Sequence, residues 1–312
     1  MVDAVDRDRL HTLRARHRVL QAVRSFFDGR GFTEVETPAM VPSPGLDVHL
    51  DAFAVGGGTQ ERYLHTSPEY QMKRLVAEGL EPIYQLCKAF RRDERGDHHN
   101  PEFTILEWYR RGTGCAQLMD DTEALLRHVA EAIHGAPRLP GVRGEGVDLT
   151  APFERLTVRD AFRRHAGVEV DDVLPDEERF FRLLVERVEP ELGRGRPTFL
   201  YRYPASMASL ARLCDDDPTV AERMEAYVDG LELCNGFGEL TDGAQQRQRL
   251  LHDQQRRREL QRPVYPLDEA FLSSVDALPD CVGNAVGVDR LVMLALGRPH
   301  IDDVLSFSAD SV

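Results

Sequence analysis

The segment 221–240 constrains this chain more than any other. Ala221–Val228 and Leu231–Leu240 are apolar, alternating runs on either side of Asp229-Gly230, and an Asp-Gly connection of two residues takes the turn that joins antiparallel strands. A second pair of alternating runs, Pro82–Arg91 and Glu102–Arg111, flanks the charged stretch Arg92–Pro101 and predicts a longer hairpin. Helical spacing runs from about Asp6 to Gly29, with Leu10, Leu13, His17, Leu20, Val23 and Phe27 as its apolar stripe. Phe32–Glu36 then reads as a strand stopped by Thr37-Pro38. Residues 41–61 read as loop, with Gly56-Gly57-Gly58 in them, and a helix opens at Ser67-Pro68, with Ser67 as N-cap. Further helices are predicted over 116–134, 242–262 and Val288–Leu296. Antiparallel hairpins mixed with helices predict an α+β fold and not a doubly wound parallel sheet. Residues 135–150, rich in glycine and proline, read as a linker, and 151–196 as two or three short helices without recognisable chemistry.

Composition removes several classes of function. The chain of 312 residues carries a formal charge of −14, which disfavours non-specific nucleic-acid binding. No apolar run is long enough to span a bilayer, and Met1–Arg18 has no apolar core of a secretory signal. Five scattered cysteines without a Cys-x-x-Cys pair predict a reduced cytoplasm and no structural zinc. Lys73 and Lys88 are the sole lysines among 39 basic residues.

Four constellations carry chemistry. On Glu102–Arg111, period-two alternation places Phe103, Ile105, Glu107 and Tyr109 on one face, beside Gln85, Cys87, Ala89 and Arg91 of the partner strand. The face is either a ligand surface or a solvated side of an amphipathic hairpin. In the second hairpin Glu232 lies opposite Tyr227, with Glu225 as its diagonal neighbour; the pair is a Mg2+ site shared with substrate phosphates, or a solvated acidic edge. Asn235-Gly236-Phe237-Gly238-Glu239 ends an apolar strand on a carboxylate, which suits a ligand ammonium or an exposed bulge. Gly283–Arg290 is a strand-to-helix junction, and Arg290 in the first turn opposes the helix dipole, which favours a phosphate-binding role. Neither a Walker loop nor a dinucleotide fingerprint is present, and His98-His99 reads as a polar loop pair.

In order along the chain, these segments resemble the catalytic core of class II aminoacyl-tRNA synthetases of the lysine branch. Gly31–Pro38 is similar to motif 1, Phe90–Tyr109 to motif 2, Gly283–Met293 to motif 3, and Glu232–Asp242 to the lysine-pocket strand. The chain begins where that catalytic domain begins, without the anticodon-binding OB-fold, so the expectation is one catalytic domain over 1–312 with a helical insertion at about 112–196. Ala285 stands where lysyl-tRNA synthetases carry glycine, and Asp93 where motif 2 usually has glutamate, with Glu94 beside it. These features, with Thr66–Tyr70 and Phe199–Leu210, resemble the elongation factor P–(R)-β-lysine ligase family, truncated paralogues that modify a protein lysine.

The resemblance implies ATP-dependent activation of (R)-β-lysine and transfer to a lysine ε-amine of elongation factor P, with no tRNA and no membrane. A minimal lysyl-tRNA synthetase acting on α-lysine is the alternative. It implies Arg91 bridging the substrate carboxylate and α-phosphate, Arg290 and His99 on the γ-phosphate, Phe103 stacked on adenine, and Asp93 on the adenine side. It further implies Mg2+ on Glu225 and Glu232, Glu239 and Tyr109 on the side-chain ammonium, Glu69 on the second amine, and Asn235 on the carboxylate. Ser67 joins the amino-acid pocket, Ala285 forms its floor, and motif 1 implies a homodimer.

Overall fold

The computed structural model describes residues 7–312 except 57, 59, 60 and 113. Asp6 and Gly57, both used in the sequence reading, lie outside the described residues. The first helix, α1 (Arg7–Asp28), leads into the short strand β1 (Thr33–Glu34). After α2 (Glu69–Ala77) come β2 (Ile83–Phe90) and β3 (Glu102–Arg111), the longer hairpin expected from the sequence. Then follow α3 (Cys115–His134), β4 (Glu154–Thr157), α4 (Glu177–Leu183) and β5 (Thr198–Pro204). The second hairpin, β6 (Val220–Val228) and β7 (Leu231–Gly238), turns at Asp229 and Gly230, whose φ angles of 56° and 76° are both positive. The chain closes with α5 (Gly243–Glu259), β8 (Cys281–Gly287) and α6 (Val288–Leu296).

One eight-stranded sheet runs in the order β1-β2-β3-β8-β7-β6-β5-β4. Its six inner strands pair antiparallel, and only the flanking pairs β1–β2 and β4–β5 are parallel, so the fold is α+β. Alternation divides its faces. Tyr84, Leu106 and Trp108 are buried against α1, with Phe27 stacked on Tyr84 at 4.7 Å and tilted on Trp108 at 5.3 Å. Gln85, Ile105, Glu107 and Tyr109 face the other way, and the last three line a cleft.

Four expectations are corrected. The buried stripe of α1 is Ala15, Val19, Ala22, Val23, Phe26 and Phe27, so the helix is rotated from the predicted face and Leu10 stays exposed. Residues 135–150 are no linker: Arg138–Leu139 pairs with Val147–Asp148, and Leu139, Val147 and Leu149 are buried in the core. The stretch 151–196 contains β4 as well as helices, because parallel pairing with β5 gives that strand a partner no local pattern reveals. In the second hairpin Tyr227 does face Glu232, but Leu233 is a bulge, so Ala226 pairs with Cys234 and Glu225 with Asn235. Among the described residues no helix is long and apolar enough to cross a membrane.

Arg257 fixes one wall of the cleft. It is fully buried on α5 and donates to the main-chain oxygens of Val48 and Leu50 at 3.2 and 2.8 Å and to the Asp51 carboxylate at 2.6 Å. The guanidinium also stacks on Tyr265 at 4.6 Å. The same loop lines the cleft through Leu46, Asp47 and Leu50. Without Arg257 the main-chain oxygens of Val48 and Leu50 lose this donor and a fully buried side chain leaves a void, although Asp51 keeps Arg92 at 3.3 Å and Arg262 at 3.4 Å. Arg257→Ala is therefore expected to lower unfolding free energy by about 3 kcal/mol in a denaturant titration.

Candidate active site

The cleft has a volume of about 440 Å³, and opposite charges collect at its two ends. At one end Arg290, in the first turn of α6, donates to the main-chain oxygen of Glu232 at 2.7 Å and to its carboxylate at 3.3 Å. Its Nη2 meets His99 Nε2 at 2.6 Å. Arginine has donors alone, so His99 Nε2 accepts and its proton sits on Nδ1. Burial, then the charges of Arg290 and Arg91, push the His99 imidazole down to about 4, so it is neutral at pH 7. Arg91 lies 4.9 Å over the Phe103 ring, and both line the cleft. This end holds two guanidinium forks, an aromatic face and a hydrogen-bonding imidazole, the equipment for a nucleotide polyphosphate.

At the other end three carboxylates converge. Ser67 Oγ donates to Glu107 Oε1 at 2.6 Å and the Tyr109 hydroxyl to Oε2 at 2.9 Å. Ser67 Oγ also accepts from the Glu69 amide at 3.0 Å, but the cap of α2 is Pro68 and not Ser67 as the sequence suggests: the first helical bond runs to the Pro68 carbonyl, and Ser67, one residue outside, holds Glu107. Lys73 Nζ, buried one helical turn from Glu69, lies 2.5 Å from Glu69 and 2.6 Å from Glu239. Burial, then the neighbouring Glu69, raises the Glu107 carboxyl to about 8; burial, opposed by Lys73, raises Glu239 to about 7. Asn235 and Ala285 complete this end: Ala285 pairs with Asn235 on one side and Glu107 on the other.

Every residue expected from the sequence to bind amino acid lines this one cleft: Ser67, Glu69, Tyr109, Asn235, Glu239 and Ala285. So do Arg91, His99, Phe103, Glu232 and Arg290. Two do not. Asp93 is 78 % exposed, with φ 67°, because the chain turns left-handed there and directs it to Arg92; Glu94 lines the cleft instead and approaches Arg91 at 3.7 Å. Glu225 is buried behind the wall, accepting from Tyr203, from Tyr227 at 2.8 Å and from Arg223 at 2.6 Å.

The class II tRNA synthetase (D, K and N) family model matches residues 1–311. The chain is 41% identical to proteins named elongation factor P–(R)-β-lysine ligase from Salmonella heidelberg, Salmonella agona and Salmonella enteritidis, over 94% of its length and 93% of theirs. The chain belongs to the class II tRNA synthetases. Within them it belongs to the elongation factor P–(R)-β-lysine ligase family, and it is a ligase of the synthetase type.

Several residues of this class II site escaped the sequence reading. Glu107 was placed on the correct face but given no task, although an acidic residue between Ile105 and Tyr109 on a strand face signals a ligand. Lys73 had only its spacing of four from Glu69 as a signal. Arg223 lines the cleft, and Glu189 accepts from Tyr227 at 3.2 Å. Burial, then Glu225 and Glu232, raises Glu189 to about 7.

The raised carboxyls have a thermodynamic consequence. Glu107 and Glu239 bind protons in the fold that they release in the unfolded chain, so their contribution is present below about pH 4.5 and is lost as pH rises through 7–8. The ligand-free chain is expected to lose thermal stability from pH 5 to 8, and Glu107→Gln to flatten that slope. Melting curves across this range check it; an unchanged slope in the variant would refute the assignment.

Proposed function

We propose that this chain activates (R)-β-lysine with ATP as an acyl adenylate and passes the acyl group to the ε-amine of a lysine on elongation factor P. The observation that carries the reading is the separation of charge along one cleft: guanidinium groups at one end, and three carboxylates answered by one ammonium at the other. A substrate with one carboxylate and two ammonium groups matches that order. The relatives' name supplies the isomer and the acceptor.

In this mechanism Phe103 stacks on adenine and Arg290, with neutral His99, holds the γ-phosphate. Arg91, over the Phe103 ring at the guanidinium end, bridges the substrate carboxylate to the α-phosphate, for which its planar fork is suited. The carboxylate oxygen attacks the α-phosphorus and pyrophosphate leaves. Positioning and charge neutralisation perform this step, and no protein acid or base is required. Glu239 and Tyr109 hold the side-chain ammonium, Glu69 the second amine, and Asn235 the carboxylate. The acceptor amine then attacks the acyl carbon, a C–N bond forms, the C–O bond to AMP breaks, and the amine proton passes to solvent.

Glu232, which lines the cleft, would offer Mg2+ the hard oxygens it prefers; Glu225, expected from the sequence to share the ion, does not fit that role, because it lies outside the cleft lining with both oxygens accepting from Tyr203, Tyr227 and Arg223. Glu232 is 40 % exposed, and Glu225 Oε1 takes a hydrogen bond from Arg223. Among the described residues no group of three or more His, Cys, Asp or Glu is placed to hold a metal. When bound, it neutralises phosphate charge. A cytoplasmic location and a homodimer through Thr37-Pro38 belong to the same proposal; the exposed Leu10 and part-exposed Leu13 and Leu20 of α1 support the second.

The deciding experiment incubates the enzyme with ATP, α-lysine or (R)-β-lysine, and either elongation factor P or tRNA, and weighs the acceptor. One lysyl unit on elongation factor P, from the β-isomer, is expected; charged tRNA would favour a minimal lysyl-tRNA synthetase. Arg290→Ala is expected to lower lysine-dependent pyrophosphate exchange at least about 100-fold while leaving the circular dichroism spectrum intact. Ala285→Gly, which removes a methyl between Glu107 and Asn235, is expected to shift preference towards α-lysine by about 10-fold in the same exchange assay.

A further inference from the structure

Lys73 is anomalous in this chain. Of 39 basic residues only two are lysines, and this one is buried where the rest of the sequence would offer arginine. An ammonium is a compact point charge, whereas a guanidinium is a wide planar fork. Lys73 bridges Glu69 Oε1 and Glu239 Oε2, yet it does not line the cleft; both of its partners do. Apart from the Lys73 contact at Oε2, neither oxygen of Glu239 has a hydrogen-bond partner, and Oε1 lies where a Cβ on Gly283 would come within 2.4 Å. Both carboxylates are thus gripped from behind and presented forward.

Resting on the function proposed above, we infer that Lys73 is a positioning residue: a resident counter-cation that answers one of the three carboxyl groups and leaves two to be met by substrate, so that the pocket selects diammonium over monoammonium amino acids. Six groups face it or its partners, one of them Tyr70 beside Glu69 on α2. The others are Glu69 on α2, Glu107 and Tyr109 on β3, Glu239 after β7, and Cys281 on β8, whose thiol burial pushes up to about 12. Arg212 also acts on Glu239 but is itself held by Glu222 at 2.8 Å. Burial alone would discharge Lys73, and the two carboxylates reverse that. Without Lys73, Glu239 keeps its proton to higher pH and a neutral acid no longer demands an ammonium.

The test compares wild type, Lys73→Met and Lys73→Arg in lysine-dependent pyrophosphate exchange from pH 6 to 9, with norleucine as the monoammonium substrate. In Lys73→Met the acid limb of kcat/KM for lysine should move up by at least about one pH unit, and the lysine-to-norleucine ratio should fall at least about 10-fold. Lys73→Arg, which keeps the charge, should hold the limb in place. A uniform loss at all pH values, with limb and ratio unmoved, overturns the inference. Because the chain has two lysines, a second reading needs no variant: lysine labelled at Cε and Nζ gives two signals from the wild-type enzyme. Saturation with a lysine isomer should move the Lys73 signal while that of Lys88 stays; a Lys73 signal that does not respond overturns it too. Wild-type enzyme without exchange for any lysine isomer would instead refute the underlying function.

Discussion

The pairing of β3 with β8 is the constraint on which the site depends. These strands lie far apart in sequence, and their register sets Glu107 against Ala285 and Tyr109 against Gly283. β7 continues both rows, bringing Asn235 beside Ala285 and Phe237 beside Gly283. A slip of one residue would turn every one of these side chains to the opposite face. Gly283 makes the register possible, since a Cβ there would come within 2.2 Å of the Tyr109 ring. Asp289, just past β8, anchors the arrangement by pairing with Arg16 of α1 at 2.6 Å and accepting from the Thr104 amide at 2.7 Å. Three segments distant in sequence are thereby held by one buried carboxylate.

That frame allows charge to be withdrawn from water in an ordered way. Buried ion pairs add little net stability, because desolvation offsets much of their attraction. Their value here is orientation. The guanidinium end and the carboxylate end impose a direction on any zwitterion that enters; under the proposed function Arg91 is where the substrate carboxylate and the α-phosphate meet. Burial first, and then the neighbouring carboxylate Glu69, gives Glu107 and Glu239 raised affinities for protons in the ligand-free chain. Under the proposed function a substrate ammonium takes the place of those protons.

What could be read from sequence follows from locality. The Asp229-Gly230 hairpin, the face shared by Phe103, Glu107 and Tyr109, and Arg290 at a helix start all depend on neighbours within a few residues. Leu233 shows the limit: it is an extra residue opposite the Ala226–Tyr227 step that no local pattern marks, and it moves the partner of Glu225 from Cys234 to Asn235. The glycines of 135–150 were mistaken for slack, although Gly141, Gly144 and Gly146 have positive φ and turn a packed hairpin. Asp93 looked like a shortened glutamate in place, but its backbone conformation hands the cleft to Glu94. Lys73 was invisible as a site residue because one of its two partners, Glu239, is reached only through the folded sheet.

The row Glu107–Ala285–Asn235 bears on how one methyl can matter. These three positions are adjacent across three strands, so the floor between a carboxylate and an amide is the Cβ of residue 285 and nothing larger. Under the proposed function the substrate is held at both ends, by Arg91 at its carboxylate and by Glu239 at its side-chain ammonium. The remaining freedom is the path of the carbon chain over that floor. A β-amino acid places its amine one carbon further from the carboxylate than an α-amino acid, and with the ends fixed that amine lands at a different height and reach. Raising the floor by a methyl penalises the path that hugs it. Discrimination from a single methyl in a packed pocket is modest, about 1–3 kcal/mol, which is enough to favour one lysine isomer without excluding the other.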